Sequence, residues 1–133
     1  MSKKVIILPC SGIGKPAGEI GRQAAYQARQ LMPEKVEMSC LARLMIDDPE
    51  TIELVRNNYV ITLDGCPEDC AQKNVERLGK AVDYSIHVTD LLEEHPDLHP
   101  LGILNLGDAG LQLAECLAQQ LAAQVNILTA EEV

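Results

Sequence analysis

The run Val5-Ile6-Ile7-Leu8 constrains this chain more than any other stretch. It is wholly apolar and mostly β-branched, and it is stopped at once by Pro9 and by the glycines of Cys10-Ser11-Gly12-Ile13-Gly14. A strand without polar alternation is buried on both faces, the environment of a parallel strand inside an α/β sheet. From Pro16 the period becomes helical, with Ala17, Ile20, Ala24, Ala28 and Leu31 on one stripe. Pro16 suits a first turn and Pro33 lies past the end, so the chain opens as strand, loop and helix.

The same alternation continues. Lys35-Val36-Glu37-Met38-Ser39 reads as an edge strand ending at Cys40, and Asp48-Pro49-Glu50 caps a short helix carrying Ile52, Leu54 and Val55. Tyr59-Val60-Ile61-Thr62-Leu63 is a third strand, broken by Asp64-Gly65. Cys66-Pro67-Glu68-Asp69-Cys70 then opens a helix with Ala71, Val75 and Leu78 inward, and Gly79 ends it. Tyr84 to Thr89 alternates as a fourth strand, 91–100 reads as a surface loop, and Leu101-Gly102-Ile103-Leu104 as a short strand. Asp108 caps a helix with Leu113, Ala114, Leu117 and Leu121 on one side, and Val125-Asn126-Ile127-Leu128 reads as a closing strand. Strands alternating with helices imply βαβ crossovers. The expectation is α/β: a single three-layer domain over residues 1–133 with a mostly parallel, doubly wound, Rossmann-like sheet.

Composition fits one domain of 133 residues with 47% apolar content. With no Phe or Trp, the core must be built from Leu, Ile, Val, Met and Ala, and aromatic platforms for base stacking are lacking. Twenty acidic residues against eleven basic ones give a net charge of −9, which repels polyphosphate and argues against nucleic acid as a partner. An acidic surface leaves a protein partner or a homo-oligomer open. No apolar run approaches the roughly 20 residues that span a bilayer, and the segment after Met1-Ser2-Lys3-Lys4 is too short for a signal-peptide core. The expectation is a cytoplasmic protein with no membrane association. In a reducing compartment its five cysteines read as ligands, redox groups or buried thiols rather than a disulfide framework.

Cys10, Cys40 and Cys66 each follow the carboxyl end of an expected strand, and Cys70 lies one helical turn after Cys66. All four are therefore expected on one edge of the sheet, where open α/β sheets bind ligands at the switch point of strand order. Thiolates select soft ions, and zinc suits such a set. Two other chemistries use the same residues. Cys66 and Cys70 as a dithiol, with Cys10 as nucleophile, would serve thiol redox or sulfur transfer, and four thiolates also suit an iron–sulfur cluster, although ferredoxin spacings are absent. Whether the chain is an enzyme stays open at this point. Cys116, between Leu113 and Leu117, reads as a core thiol.

Ser11 to Pro16 lacks the phosphate-loop spacing, and Pro16 also stands where a Cys-x5-Arg phosphatase would need arginine. Asp64 and Asp90, at strand ends, suit turn or helix-cap roles with ligand orientation as the alternative. His87 reads as a packed ring in mid-strand, and His95 and His99 as solvated side chains.

The run Val60-Ile61-Thr62-Leu63-Asp64-Gly65-Cys66-Pro67-Glu68-Asp69-Cys70-Ala71 resembles the core of the DGC-domain family, named for its Asp-Gly-Cys. Pro9-Cys10-Ser11-Gly12 is similar to that family's first motif, Cys40-Leu41-Ala42 to its second, and Val88-Thr89-Asp90 to a later one. The resemblance covers roughly residues 5–92. It implies a zinc-binding domain with four chelating cysteines, here Cys10, Cys40, Cys66 and Cys70, in a family of unassigned activity. No motif carries over to residues 97–133.

Overall fold

A computed structural model describes residues 3–10, 16–65, 68–100, 102 and 106–130. β1 (Val5–Pro9) leads to helix α1 (Pro16–Leu31), and β2 (Val36–Met38) to two short helices, α2 (Leu41–Met45) and α3 (Pro49–Arg56). β3 (Tyr59–Asp64), α4 (Cys70–Arg77), β4 (Tyr84–His87), α5 (Val88–Glu94) and the long α6 (Gly107–Ala130) complete the order. The four strands form one all-parallel sheet in the order β2-β1-β3-β4. β1 is buried along its whole length between β2 and β3, as its unbroken apolar run demands. The chain runs outward from β1 to β2 and then returns to the far side of β1, so strand order reverses between β1 and β3.

The sheet divides two cores. Val5, Ile7, Ile61 and Leu63 face α1, α5 and α6, whereas Ile6, Leu8 and Val60 face α2, α3 and α4. These are the three layers that the sequence implies. Gly21 lets α1 lie close to the start of α5 and to β3: a Cβ there would stand 3.3 Å from Val88 Cγ2 and 3.7 Å from Leu63 Cβ. Leu113, Leu117 and Leu121 of α6, all fully buried, join the same core as α1, the helix against which α6 packs. No helix among the described residues is long and apolar enough to cross a membrane.

Several elements depart from the sequence reading. Val125, Asn126, Ile127 and Leu128 are not a closing strand; they continue α6, and burial of Val125 and Leu128 with Ile127 55% exposed is helical periodicity. The fourth strand stops at His87, and Val88 and Thr89 begin α5, which runs to Glu94 and so takes in the first residues of the expected 91–100 loop. α2 was not expected at all. Asp108 lies in the first turn of α6, which begins at Gly107. Most of the expected short strand at 101–104 lies outside the described residues.

The cap at Asp48 forms as the sequence requires. Its Oδ2 accepts from the Thr51 backbone N–H at 3.1 Å and from the Thr51 hydroxyl at 2.6 Å. Those bonds hold its carboxyl below the usual aspartate range. A group with a lowered folded value contributes stability above its unfolded range and loses it as pH falls through the folded value. Asp48→Asn keeps the acceptor without the titration, so its acid-induced fall in Tm is expected to be shallower than that of the native chain. Thermal melts across the acid range decide this, and parallel curves would remove Asp48 from the account.

Candidate metal centre

The parallel sheet gathers the carboxyl ends of its strands on one edge, and the described cysteines of the expected set lie along it. Cys10 directly follows β1, and its N–H continues the ladder by donating to the Leu63 carbonyl at 2.8 Å. Its side chain is half-buried against the α2–α4 core. Cys40 is the exposed N-cap of α2, and its side chain makes no capping bond. Cys10 and Cys40 line the same open cleft together with Ser39 and Leu41. Cys70 is the first residue of α4 and is exposed. Cys66 lies outside the described residues, and α4 begins at Cys70 rather than at Cys66. Cys116 sits in α6 and is partly buried.

The geometry explains the residues around Cys66. Asp64 is fully buried and caps α4 from a distance: Oδ1 accepts from the Ala71 N–H at 2.9 Å and Oδ2 from the Gln72 N–H at 3.3 Å. This is the helix-cap role expected of it, and it satisfies donors that a helix start leaves open. Burial raises its carboxyl above the ordinary range; the two N–H bonds and His87 work against that rise, and Asp69 adds to it. Gly65 is there for space. A Cβ at this position would stand 3.0 Å from the Gly18 nitrogen and 3.2 Å from Ala17 C and Gly18 Cα, all backbone atoms of α1. The Gly65 N–H donates to Cys10 Sγ at 3.1 Å, joining the end of β3 to the first cysteine.

A second pair was not visible in the sequence. Asp69 adopts a left-handed conformation, φ 53°, just before α4, and its Oδ1 lies 2.5 Å from His87 Nε2. His87 is the last residue of β4 rather than a packed mid-strand ring. The side chains are 29% and 37% exposed, respectively. Beside them the Ser85 hydroxyl donates to Gln72 Oε1 at 3.0 Å, a further tie between β4 and α4. The residues are 18 apart in sequence, so only the β3-α4-β4 crossover brings them together. Asp90 lies in the first turn of α5, and His95 is that helix's C-cap.

Among the described residues, no three His, Cys, Asp or Glu side chains are grouped so as to hold a metal ion. Cys10, Cys40 and Cys70 thus line the edge without being gathered into one ligand cluster, and Cys66 lies outside the described residues. The donors that the edge presents are chemically suited to a thiophilic ion: three thiols, one of them already accepting a backbone N–H at sulfur.

No curated protein matches this chain, and no solved structure does. The family model of the DGC domain matches residues 6–100, a span that contains the whole sheet from Ile6 onward and ends before α6. With the match covering well over half its length, the chain belongs to the DGC-domain family.

Proposed function

We propose that this protein binds zinc through thiolates drawn from Cys10, Cys40, Cys66 and Cys70 at the carboxyl edge of the sheet. One observation carries the reading: the Gly65 N–H is directed at Cys10 Sγ at 3.1 Å. That bond fixes the first cysteine's sulfur at the sheet edge, and sulfur is the donor type that a soft ion takes. The reversal of strand order between β1 and β3, which sets Cys10 at the position where open α/β sheets bind ligands, supports it. Four thiolates fill a tetrahedral zinc and leave no position for substrate, so the ion holds the loops after β1, β2 and β3 together rather than doing chemistry. Zinc in this role contributes folding free energy directly. The protein's own part is to fix the loop ends, with Asp64 capping α4 and Gly65 packed on α1.

The test is the metal and acid-labile sulfide content of untagged protein purified anaerobically, beside Cys66→Ser and Cys70→Ser, with an absorption spectrum of each. Near-stoichiometric zinc in a colourless protein, lost in both variants, is the expected result. Iron with sulfide and visible absorption replaces zinc by a cluster. Metal-free protein that takes up no zinc at low micromolar concentration overturns the reading and moves the weight to thiol redox chemistry.

A further inference from the structure

Among the described strands, the sheet ends at β2 with one side open. The Val5 N–H donates to the Lys35 carbonyl at 2.7 Å and the Ser39 N–H to the Ile7 carbonyl at 3.2 Å, so residues 35, 37 and 39 turn their backbone toward β1. Backbone direction alternates along a strand, and Val36 and Met38 therefore turn theirs outward. The Val36 N–H is taken by the Met32 carbonyl at 2.9 Å. The Val36 carbonyl and both backbone groups of Met38 have no hydrogen-bond partner among the described residues. Beside this edge runs the open cleft that also holds Cys10 and Cys40, with a volume of about 1210 Å³. Small-molecule pockets enclose about 300–1,000 Å³, so the cleft has room for a length of chain.

β2 is the floor of that cleft, and its walls are α1 on one face of the sheet and α2 with α3 on the other. The walls differ in sign. α1 contributes Arg22 and Arg29 and no acid, whereas α3 contributes Glu50 and Glu53. Arg43, on the α3 side, is met by Asp48 at 3.7 Å, and Arg22 by Glu19 at 3.1 Å. Arg29 meets Glu37 of the floor at 3.9 Å, an exposed ion pair of the kind that exchanges at little cost.

We propose that the β2 edge binds an extended peptide segment of a partner protein as an added strand, with acidic side chains toward α1 and basic ones toward α3. Main-chain bonds to the Val36 carbonyl and to the N–H and carbonyl of Met38 set its register. Side chains of a strand alternate between the two faces, so a sequence alternating in charge meets walls of opposite sign in turn. A second copy of this chain is the poorer fit. Its own β2 carries the same helices on both faces, and these would meet α1 and α3 before the two strands could pair. Two chains of net charge −9 also repel each other. The inference is independent of the zinc reading, because no thiol takes part in it.

The probe is a fluorescein-labelled peptide of alternating Glu and Lys, about eight residues long and capped at both termini, long enough to span β2 and its flanks at about 3.3 Å per residue. Its anisotropy is followed as the full chain is added at physiological salt, where exposed charges are screened beyond about 8 Å. A block peptide, all Glu and then all Lys, has the same composition and net charge. Two variants of the protein are compared with the native chain. Met38→Pro removes the outward N–H and no bond to β1, a position at which an edge strand accepts proline; Arg29→Glu reverses the charge on the α1 wall. The expected result is saturable binding of the alternating peptide, about tenfold weaker for the block peptide and about five- to tenfold weaker in each variant. Equal affinity for the two peptides, or no binding up to about 1 mM, overturns the proposal. Unchanged binding in Met38→Pro with native far-UV circular dichroism does the same. If that variant fails to fold, Arg29→Glu decides, and unchanged binding there is the overturning result. Sedimentation that finds a native dimer split by either variant assigns the edge to a second copy and also overturns the proposal.

Discussion

A chain cut after Pro100 is expected to lose its cooperative unfolding transition. The cut leaves every residue that the family model matches and removes α6. Yet α6 supplies Leu113, Ala114, Leu117, Ala118, Leu121, Val125 and Leu128 to the core that covers α1. Each fully buried leucine is worth about 1.5–3 kcal/mol, so the three at 113, 117 and 121 alone approach the roughly 5–15 kcal/mol by which a domain is stable at all. The cut also strips cover from Ile20, Ala24 and Ala28 on α1. Far-UV circular dichroism during heating, with a dye for exposed apolar surface, is the measurement. A sharp transition near the native Tm, without dye binding, would show that the matched region stands alone and that α6 is an accessory.

The second large effect is expected at the glycine of the Asp-Gly-Cys run. Gly65 does not have a positive φ, so its need for glycine is one of space alone. In Gly65→Ala the new Cβ meets α1 backbone at 3.0–3.2 Å, and backbone cannot rotate away as a side chain would. In Gly65→Val the branched methyls drive the helix further from β3. Overpacking of this kind costs about 1–3 kcal/mol and occasionally more, so stability is expected to fall in the order Gly, Ala, Val, with the valine variant about 3 kcal/mol below the native chain. Gly79→Ala is the control. Its φ of +77° imposes torsional strain of about 1–2 kcal/mol, but nothing stands within 4 Å of the added Cβ. Denaturant melts of the three variants separate the two costs, and a valine variant no less stable than the alanine one would remove the contact with α1 from the account.

The sequence was legible where local rules and tertiary demands agree. β1 announced itself as an unbroken apolar run and β3 as a β-branched and aromatic one because both are interior strands, and Asp48 as a cap because Thr51 supplies the donors within one turn. The same logic located the described cysteines Cys10, Cys40 and Cys70 at the sheet's carboxyl edge, since each lies beside a strand end or a helix start. Val125-Asn126-Ile127-Leu128 misled because a short apolar run fits a strand or a helix equally well. The spacing of Leu117, Leu121, Val125 and Leu128 carries a helical stripe straight through it, and that signal was present. α2 escaped because a five-residue helix is too short to show a period. No local signal pairs Asp69 with His87, because the contact exists only after β4 has docked beside β3.

The all-parallel sheet also governs how this chain can come to be folded. No strand has its partner next to it in sequence: Val5 meets Val36 and Tyr59, and Ile61 meets Tyr84, each across an entire crossover. Among the described strands there is no hairpin to zip up first, so loop-closure entropy must be met before these ladders form, and such topologies fold slowly. β1 bears the consequence. It is made before either of its partner strands, as a Val-Ile-Ile-Leu segment, and must wait for residues up to Asp64 before both of its edges are paired. During synthesis the central strand of the finished sheet is thus the segment most exposed to wrong partners.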